Sequence, residues 1–478
     1  MTFNSWEFLI FYPVVLLLYY VLPRFMRWPM LLVASYFFYM CYSPSLVFLI
    51  LGTTLISWLS AKIIDATERA SLRRAALVIT LISSLGVLFF YKYFDFLSAS
   101  FFAVLGGEPW LLHLALPVGI SFYTFQTLSY VIDVYRGEVK TEKNFFFYAL
   151  FVSFFPQLVA GPIERPANLI PQLKRENKWS RENAVAGAKF MLLGFFKKVC
   201  VADLVSSSVD AVYNNPDGAT SLAVVGATVL FALQIYCDFS GYTDIAIGCA
   251  RIMGIRLMKN FDHPYRATTI KEFWSRWHIS LSSWFKDYLY FPLGGSRCAK
   301  WRHLLNLMIV FLVSGLWHGA AWTFVLWGAL HGFYQIVGNL TAAPRAALLK
   351  RLGIKSDARP IIYLRRTVTF VLVSFGWLIF RANSISDAFS LIGSLFSFGG
   401  VSEAFSQLNL DPVSLILIIV SFLVLLLMDN LITYEGDGDG SAAVVRGGSF
   451  IYFVWIIFIV WALLLSKNMI SSFIYFQF

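Results

Sequence analysis

Apolar stretches of nearly membrane-crossing length alternate with short polar links from the first residues onward. The first four lie at about 6–22, 29–42, 45–61 and 75–91, close to the roughly 20 residues that a helix needs to cross a bilayer core. Arg24 and Arg27 follow the first stretch, an uncharged CYSPS joins the second to the third, and Lys62, Arg69, Arg73 and Arg74 follow the third. Because Lys and Arg collect in cytoplasmic loops, this pattern places the N-terminus outside and the 62–74 loop inside. A further span within 110–135 returns to the cytoplasm at Arg136 to Lys143. Phe145 to Ala160 is apolar, yet basic loops at 136–144 and 165–181 want the same compartment on both its sides. It ends in FFPQLVAGPIERP, whose Pro156, Gly161, Pro162 and Pro166 break any helix. The pattern predicts a re-entrant segment, its open backbone covered by protein or water.

Spans at about 185–212 and 221–250 are joined by the turn NNPDG, and a helical hairpin is expected over 304–340. Later spans fall at about 367–380, 412–431 and 449–466, with GDGDG at 436–440 as a flexible loop. The predicted fold class is an all-α polytopic membrane protein of about 12 transmembrane helices plus re-entrant and interfacial pieces. One integral-membrane domain is expected over 1–478, with peripheral helices at 1–110, a core at about 111–343, C-terminal helices at 360–466 and an aromatic tail at 467–478.

Composition agrees. Hydrophobic residues make up 58% of the chain and charged ones 14%, against about 25% charged in a soluble domain. The net charge of +11 does not point to nucleic acid, because the basic residues sit in loops between apolar spans. Met1 to Glu7 has no basic n-region, so no cleavable signal is expected. Five scattered cysteines without a CxxC suggest neither a metal cluster nor a disulfide framework.

Candidate chemistry centres on Ser314 to Phe324, SGLWHGAAWTF. About 14 residues lead from Leu304 to His318, and as a helix they rise about 21 Å, short of a hydrocarbon core of roughly 30 Å. His318 is therefore placed inside the membrane, where an imidazole needs a partner or water and reads as a functional site. A structural histidine bonded to a neighbouring carbonyl is the alternative. Gly315 and Gly319 beside it permit close approach of backbone or substrate. Asp238 and Asp244 lie within one span, about 120° apart on a helix, and either serve a polar pathway or fix neighbouring helices.

Between Arg251 and Arg302, Trp274, Trp277 and Trp284 recur at helical spacing among basic residues. An interfacial helix fits them, with Arg256, Arg266, Lys271, Arg276 or Lys286 available to an anionic ligand. Taken alone, His278 on this segment reads as an interfacial histidine.

Five motifs carry a resemblance across nearly the whole chain: PVGISFYTFQTLSYVIDVYRG (117–137), FFPQLVAGPIERP (154–166), CDFSGYTDIAIG (237–248), FWSRWHISLSSWFKDYLYFPLGG (273–295) and SGLWHGAAWTF (314–324). With them the chain resembles the membrane-bound O-acyltransferase (MBOAT) family, in its bacterial alginate O-acetylase-like branch. The resemblance implies a many-helix funnel, open to the cytoplasm for an acyl donor and narrowing toward the outer face. It makes His318 the signature catalytic histidine and His278 the second catalytic position. Trp317, Trp322, Trp277, Arg276, Asp238, Ser240, Tyr242 and Asp244 stand as candidates for lining the tunnel or binding the donor.

What the resemblance implies functionally is transfer of an acetyl group from acetyl-CoA or another acyl thioester, with no bound cofactor and no metal, for O-acetylation of a cell-surface polysaccharide. An extracytoplasmic SGNH-type transferase is the implied partner, and the bacterial cytoplasmic membrane the implied location. A neutral imidazole suits the required deprotonation of a hydroxyl near pH 7. The C-terminal FIYFQF resembles the tyrosine-bearing end of the small partner in teichoic-acid D-alanylation, which makes Tyr475 a candidate acyl carrier; an interfacial aromatic belt is the alternative. D-alanyl transfer to teichoic acid and a proton-coupled transporter or flippase remain competing functions.

Overall fold

Inside a bilayer the backbone finds no water, and helices satisfy its N–H and C=O groups internally. The computed structural model describes residues 1–42, 44–435, 442–445 and 456. It begins with helices Trp6–Val21, Arg24–Met40 and Val47–Ala66. Ser5 caps the first, its hydroxyl accepting from Phe8 N. Tyr12 and Tyr20 tie that helix to the carbonyls of Cys249 and Ile252, at 3.0 and 2.6 Å.

The fourth apolar stretch does not stop at residue 91. Ala70–Leu88 runs through a π-helical turn, Phe89–Tyr93, into Phe94–Leu105, 36 continuous residues. The extra residue of a π turn rotates Lys92 to a new face, and such turns are frequent at functional positions.

Helix Ile120–Arg136 is buried on nearly every face. It starts at Gly119, whose φ is 73° and where a Cβ would come within 2.7 Å of the Leu158 carbonyl. The expected break follows: helix Phe145–Ser153, irregular chain, then Pro166–Lys174. Protein does cover this open backbone. Gln126 and Gln157 both donate to Phe151 O, at 2.8 and 3.0 Å, and Phe155 N donates to Ser35 Oγ at 3.1 Å.

The scaffold of the core is a long pair. Arg181–Phe195, a π-helical Phe196–Ala202 and Asp203–Tyr213 pack along Ser221–Ile252. A seam of glycines lets them touch: a Cβ on Gly187 would lie 2.6 Å from Gly248 O, and one on Gly194 2.5 Å from Gly241 O. Lys198 sits between Asp238 (2.6 Å) and Asp203 (2.9 Å), while Lys197 reaches Asp244 at 2.7 Å. These pairs tie Asp238 and Asp244 to the neighbouring helix segment.

By length and composition, four helices among the described residues suffice to cross a membrane: Pro44–Ala66, Ala70–Leu105, Ser221–Ile252 and Arg359–Arg381. Val401–Gln407 and Pro412–Met428, bent by 84°, make a fifth if taken as one span. The expected count of about 12 is not reached by this measure. That count rests on apolar stretches, whereas several core helices are short, broken, or carry buried polar and charged side chains. Helices make up the fold as the all-α expectation has it, and among the described residues one short extended pair, Ile432–Glu435 antiparallel with Ala442–Val445, is added to them. The span expected at 449–466 and the aromatic tail lie outside the described residues, apart from Ile456.

Candidate active site

The hairpin expected over 304–340 is present as Lys300–His318 and Trp322–Leu340. His318 is the last residue of the first helix. Glycines set the crossing: a Cβ on Gly315 would come within 2.3 Å of Phe324 O, and one on Gly328 within 2.4 Å of Phe311 O. The close approach at Gly315 is thus backbone to backbone, and Gly319 packs under the Phe324 ring.

The carbonyls at that helix end have lost their intrahelical partners. Lys92 donates from Nζ to Trp317 O at 2.7 Å and His318 O at 3.1 Å, and Tyr93 donates to Leu316 O at 2.8 Å. A cation at a helix C-terminus also opposes the negative end of the dipole. Sequence reasoning missed both residues by ending the span at 91. The signal was one lysine in an apolar run, FFYKYF.

The segment before the hairpin departs from the single interfacial helix that the tryptophan spacing predicts. Two short helices, Ile270–Arg276 and Ile279–Phe285, are separated at Trp277–His278. Trp274, Trp277 and Trp284 are 8%, 1% and 7% exposed, so they build the core and do not anchor an interface. Trp284 stacks on Phe125 at 3.7 Å.

His278 occupies the break with φ 44° and ψ 56°, a left-handed conformation costly for a residue with a Cβ. One side chain holds it there. Asn260 Oδ1 accepts from Ser280 N (3.2 Å), from Ser280 Oγ (2.9 Å) and lies 3.1 Å from His278 Nδ1. An oxygen that accepts a backbone N–H is the carbonyl end of the amide, so Nδ1 must be the protonated nitrogen. The neutral ring then presents its lone pair at Nε2. Asn260 was not anticipated; nothing local in KNFDHP distinguishes it.

The two histidines meet around Trp317. Its ring centroid lies 5.9 Å from that of His278 and 5.0 Å from that of His318, edge-on to both at 65° and 81°. Phe122 and Phe125 pack against the indole at 5.4 and 5.6 Å, and Phe239 packs on His278 at 4.7 Å. Beyond His318 stand Trp327 and Phe380, at 5.0 and 5.5 Å. His278, Trp317 and His318 are 0%, 3% and 6% exposed. Trp317 Nε1 is buried and finds no acceptor among the described residues. Leaving a buried donor unmet costs about 1–3 kcal/mol, a deficit that a ligand oxygen would remove.

A third histidine, also unanticipated, extends this centre. His331 is fully buried 5.0 Å from Trp327, and its Nδ1 accepts from Trp274 Nε1 at 3.1 Å.

The other candidates make contacts of their own. Trp277 is buried against Phe261 and Trp377, both at 5.0 Å. Trp322 is 55% exposed and donates to Ser100 Oγ at 3.1 Å. Arg276 is engaged by Glu272 at 2.9 Å. Tyr242 stacks on Phe3 at 4.5 Å, and Ser240 is buried on the same helix. Tyr475 lies outside the described residues.

Comparison with known proteins identifies the family. The family model described as MBOAT, membrane-bound O-acyltransferase family, matches residues 138–379, which include both His278 and His318. The probable alginate O-acetylase AlgI of Pseudomonas aeruginosa is 38% identical over 433 residues, covering 89% of this chain and 81% of that protein. The peptidoglycan O-acetyltransferase of Helicobacter pylori is 34% identical over 430 residues, 82% of this chain and 79% of that one. The teichoic acid D-alanyltransferase of Bacillus subtilis is more distant, 28% identical over 279 residues, 55% of this chain and 68% of that one. With the matched family model spanning half its length and relatives above 30% identity across most of it, the chain belongs to the membrane-bound O-acyltransferase family and is a membrane acyltransferase.

Proposed function

We propose that the chain takes an acetyl group from a cytoplasmic thioester, acetyl-CoA in the simplest case, and passes it outward for O-acetylation of an extracytoplasmic polysaccharide. His318 and His278 are the reacting side chains in this reading. One observation carries it: two buried imidazoles flank one indole whose N–H has no acceptor among the described residues.

The transfer balances without a cofactor. The acceptor hydroxyl gives its proton to an imidazole as its oxygen forms the new C–O bond to the acetyl carbon. The C–S bond breaks, and the proton passes to the departing thiolate, leaving an ester and a thiol. Trp317 N–H donates to the oxyanion that develops between these steps. The aromatic enclosure keeps water from competing with the acceptor for the thioester.

An SGNH-type transferase outside the bacterial cytoplasmic membrane completes delivery to the glycan, and Tyr475 serves as a relay toward it. Retention of an acetyl label in a Tyr475→Phe variant would remove that relay from the scheme. The two O-acetylating relatives favour acetyl over D-alanyl transfer, being closer and covering more of the chain. Buried acids that a proton-coupled transporter would use are tied in ion pairs here.

The test is His318→Ala, with His278→Ala beside it. Surface glycan from cells carrying either variant should lack O-acetyl groups while the protein reaches the membrane at normal yield. Full acetylation by His318→Ala would refute the assignment.

A further inference from the structure

A cavity of about 450 Å³ opens between the ends of helices Trp6–Val21 and Arg24–Met40 and the chain around Lys174 to Asn177. It shares no residue with the aromatic enclosure of the two histidines. Four cations, Arg24, Arg27, Lys174 and Arg175, line it with one carboxylate, Glu176, so the basic side chains outnumber the acidic one. Lys174 pairs with Glu142. The three arginines have no carboxylate within 4.0 Å among the described residues; their contacts are to neutral oxygens.

These guanidiniums are held in place. Asn177, buried at 6% exposure, accepts from Arg27 at its backbone oxygen (2.9 Å) and from Arg175 at Oδ1 (2.8 Å). Arg27 also donates to Leu22 O at 3.1 Å and lies 5.4 Å over the Tyr19 ring. One wall is aromatic, with Trp28 stacked on Phe147 at 4.5 Å. The result is a preorganised, positively charged pocket with an apolar side, suited to a phosphate ester.

Two further observations say which phosphate ester. The basic links at 22–28 and 165–181 fall on the cytoplasmic side by their charge, the leaflet surface where polybasic segments meet anionic headgroups. Phe25, which lines the cavity, is 72% exposed, and Val21 and Leu17 on the preceding helix are 71% and 65% exposed, apolar surface along which acyl chains would lie. We propose that this cavity binds the phosphodiester headgroup of an anionic phospholipid, seated outside the acyl-transfer centre.

Native mass spectrometry of the full chain, released from detergent with equal additions of phosphatidylglycerol and phosphatidylcholine, tests this. The expected result is retention of phosphatidylglycerol at about tenfold or more over phosphatidylcholine. Arg24→Gln with Arg27→Gln, and separately Arg175→Gln, should bring the two lipids close to equal. Equal retention by the unsubstituted protein overturns the proposal without any variant. Preserved selectivity in folded variants overturns it as well. Displacement by millimolar inorganic phosphate would reassign the cavity to a free phosphate, and displacement by coenzyme A to the donor; either outcome overturns the lipid.

Discussion

Replacing Asn260 with alanine probes how His278 is held. Three donors converge on one oxygen at 2.9–3.2 Å, each bond contributing about 1 kcal/mol, or about 3 kcal/mol together. Against them stands the left-handed backbone at His278, which costs about 1–3 kcal/mol. With the side chain removed, that balance reverses, so the turn should relax to negative φ and carry Nε2 out of line. Misplacement on the order of 1 Å costs about 100-fold in rate. Asn260→Ala should therefore lower kcat about 100-fold in purified protein assayed for thioester cleavage coupled to ester formation, with little change in donor KM. Asn260→Asp retains an oxygen acceptor for all three donors and should recover most of the rate. A purely structural role would not separate the two variants in this way. Wild-type kcat in folded Asn260→Ala would refute the reasoning.

Three further perturbations follow from the same geometry. Lys92→Met removes the donor to Trp317 O and His318 O and should lower acetyl transfer at least tenfold while the thermal midpoint shifts by only a few degrees; unchanged turnover would show that the helix end holds itself. Lys198→Met leaves Asp203 and Asp238 buried beside an apolar chain, a cost of about 3–5 kcal/mol, so its yield from membranes should collapse, and Asp238→Asn in the same chain should recover part of it. Burial pushes the Glu164 carboxyl, in the link before helix Pro166–Lys174, up to about 7 despite its bonds from Met258 N and Asn168. The folded state then holds a proton that the unfolded chain releases near pH 4.5, so stability falls as pH rises from about 4.5 to 7. Glu164→Gln should flatten that slope in thermal melts between pH 5 and 8, and an unaltered slope would exclude Glu164 as its source.

Several elements were legible from local pattern. Pro156, with Gly161, Pro162 and Pro166 after it, marks the break following Phe145–Ser153, because proline cannot continue a helix and the flanking basic loops share a compartment. The hairpin expected over 304–340 follows from its apolar run, and His318 stands at the end of its first helix, Lys300–His318. The tryptophan stripe misled because three-and-seven spacing does not reveal a backbone that reverses to φ 44° at His278.

The sequence by itself determined which stretches are apolar enough to be helices, where they break, and that a histidine sits within an apolar hairpin. Those are properties of composition and spacing over a few turns. Tertiary structure alone decided which nitrogen of His278 carries its proton, which lysine holds the end of the His318 helix, and which acids are neutralised. The bonds responsible join residues 18, 226 and 40 positions apart. No local periodicity encodes a partner at that distance; only the packing of helices brings it within reach.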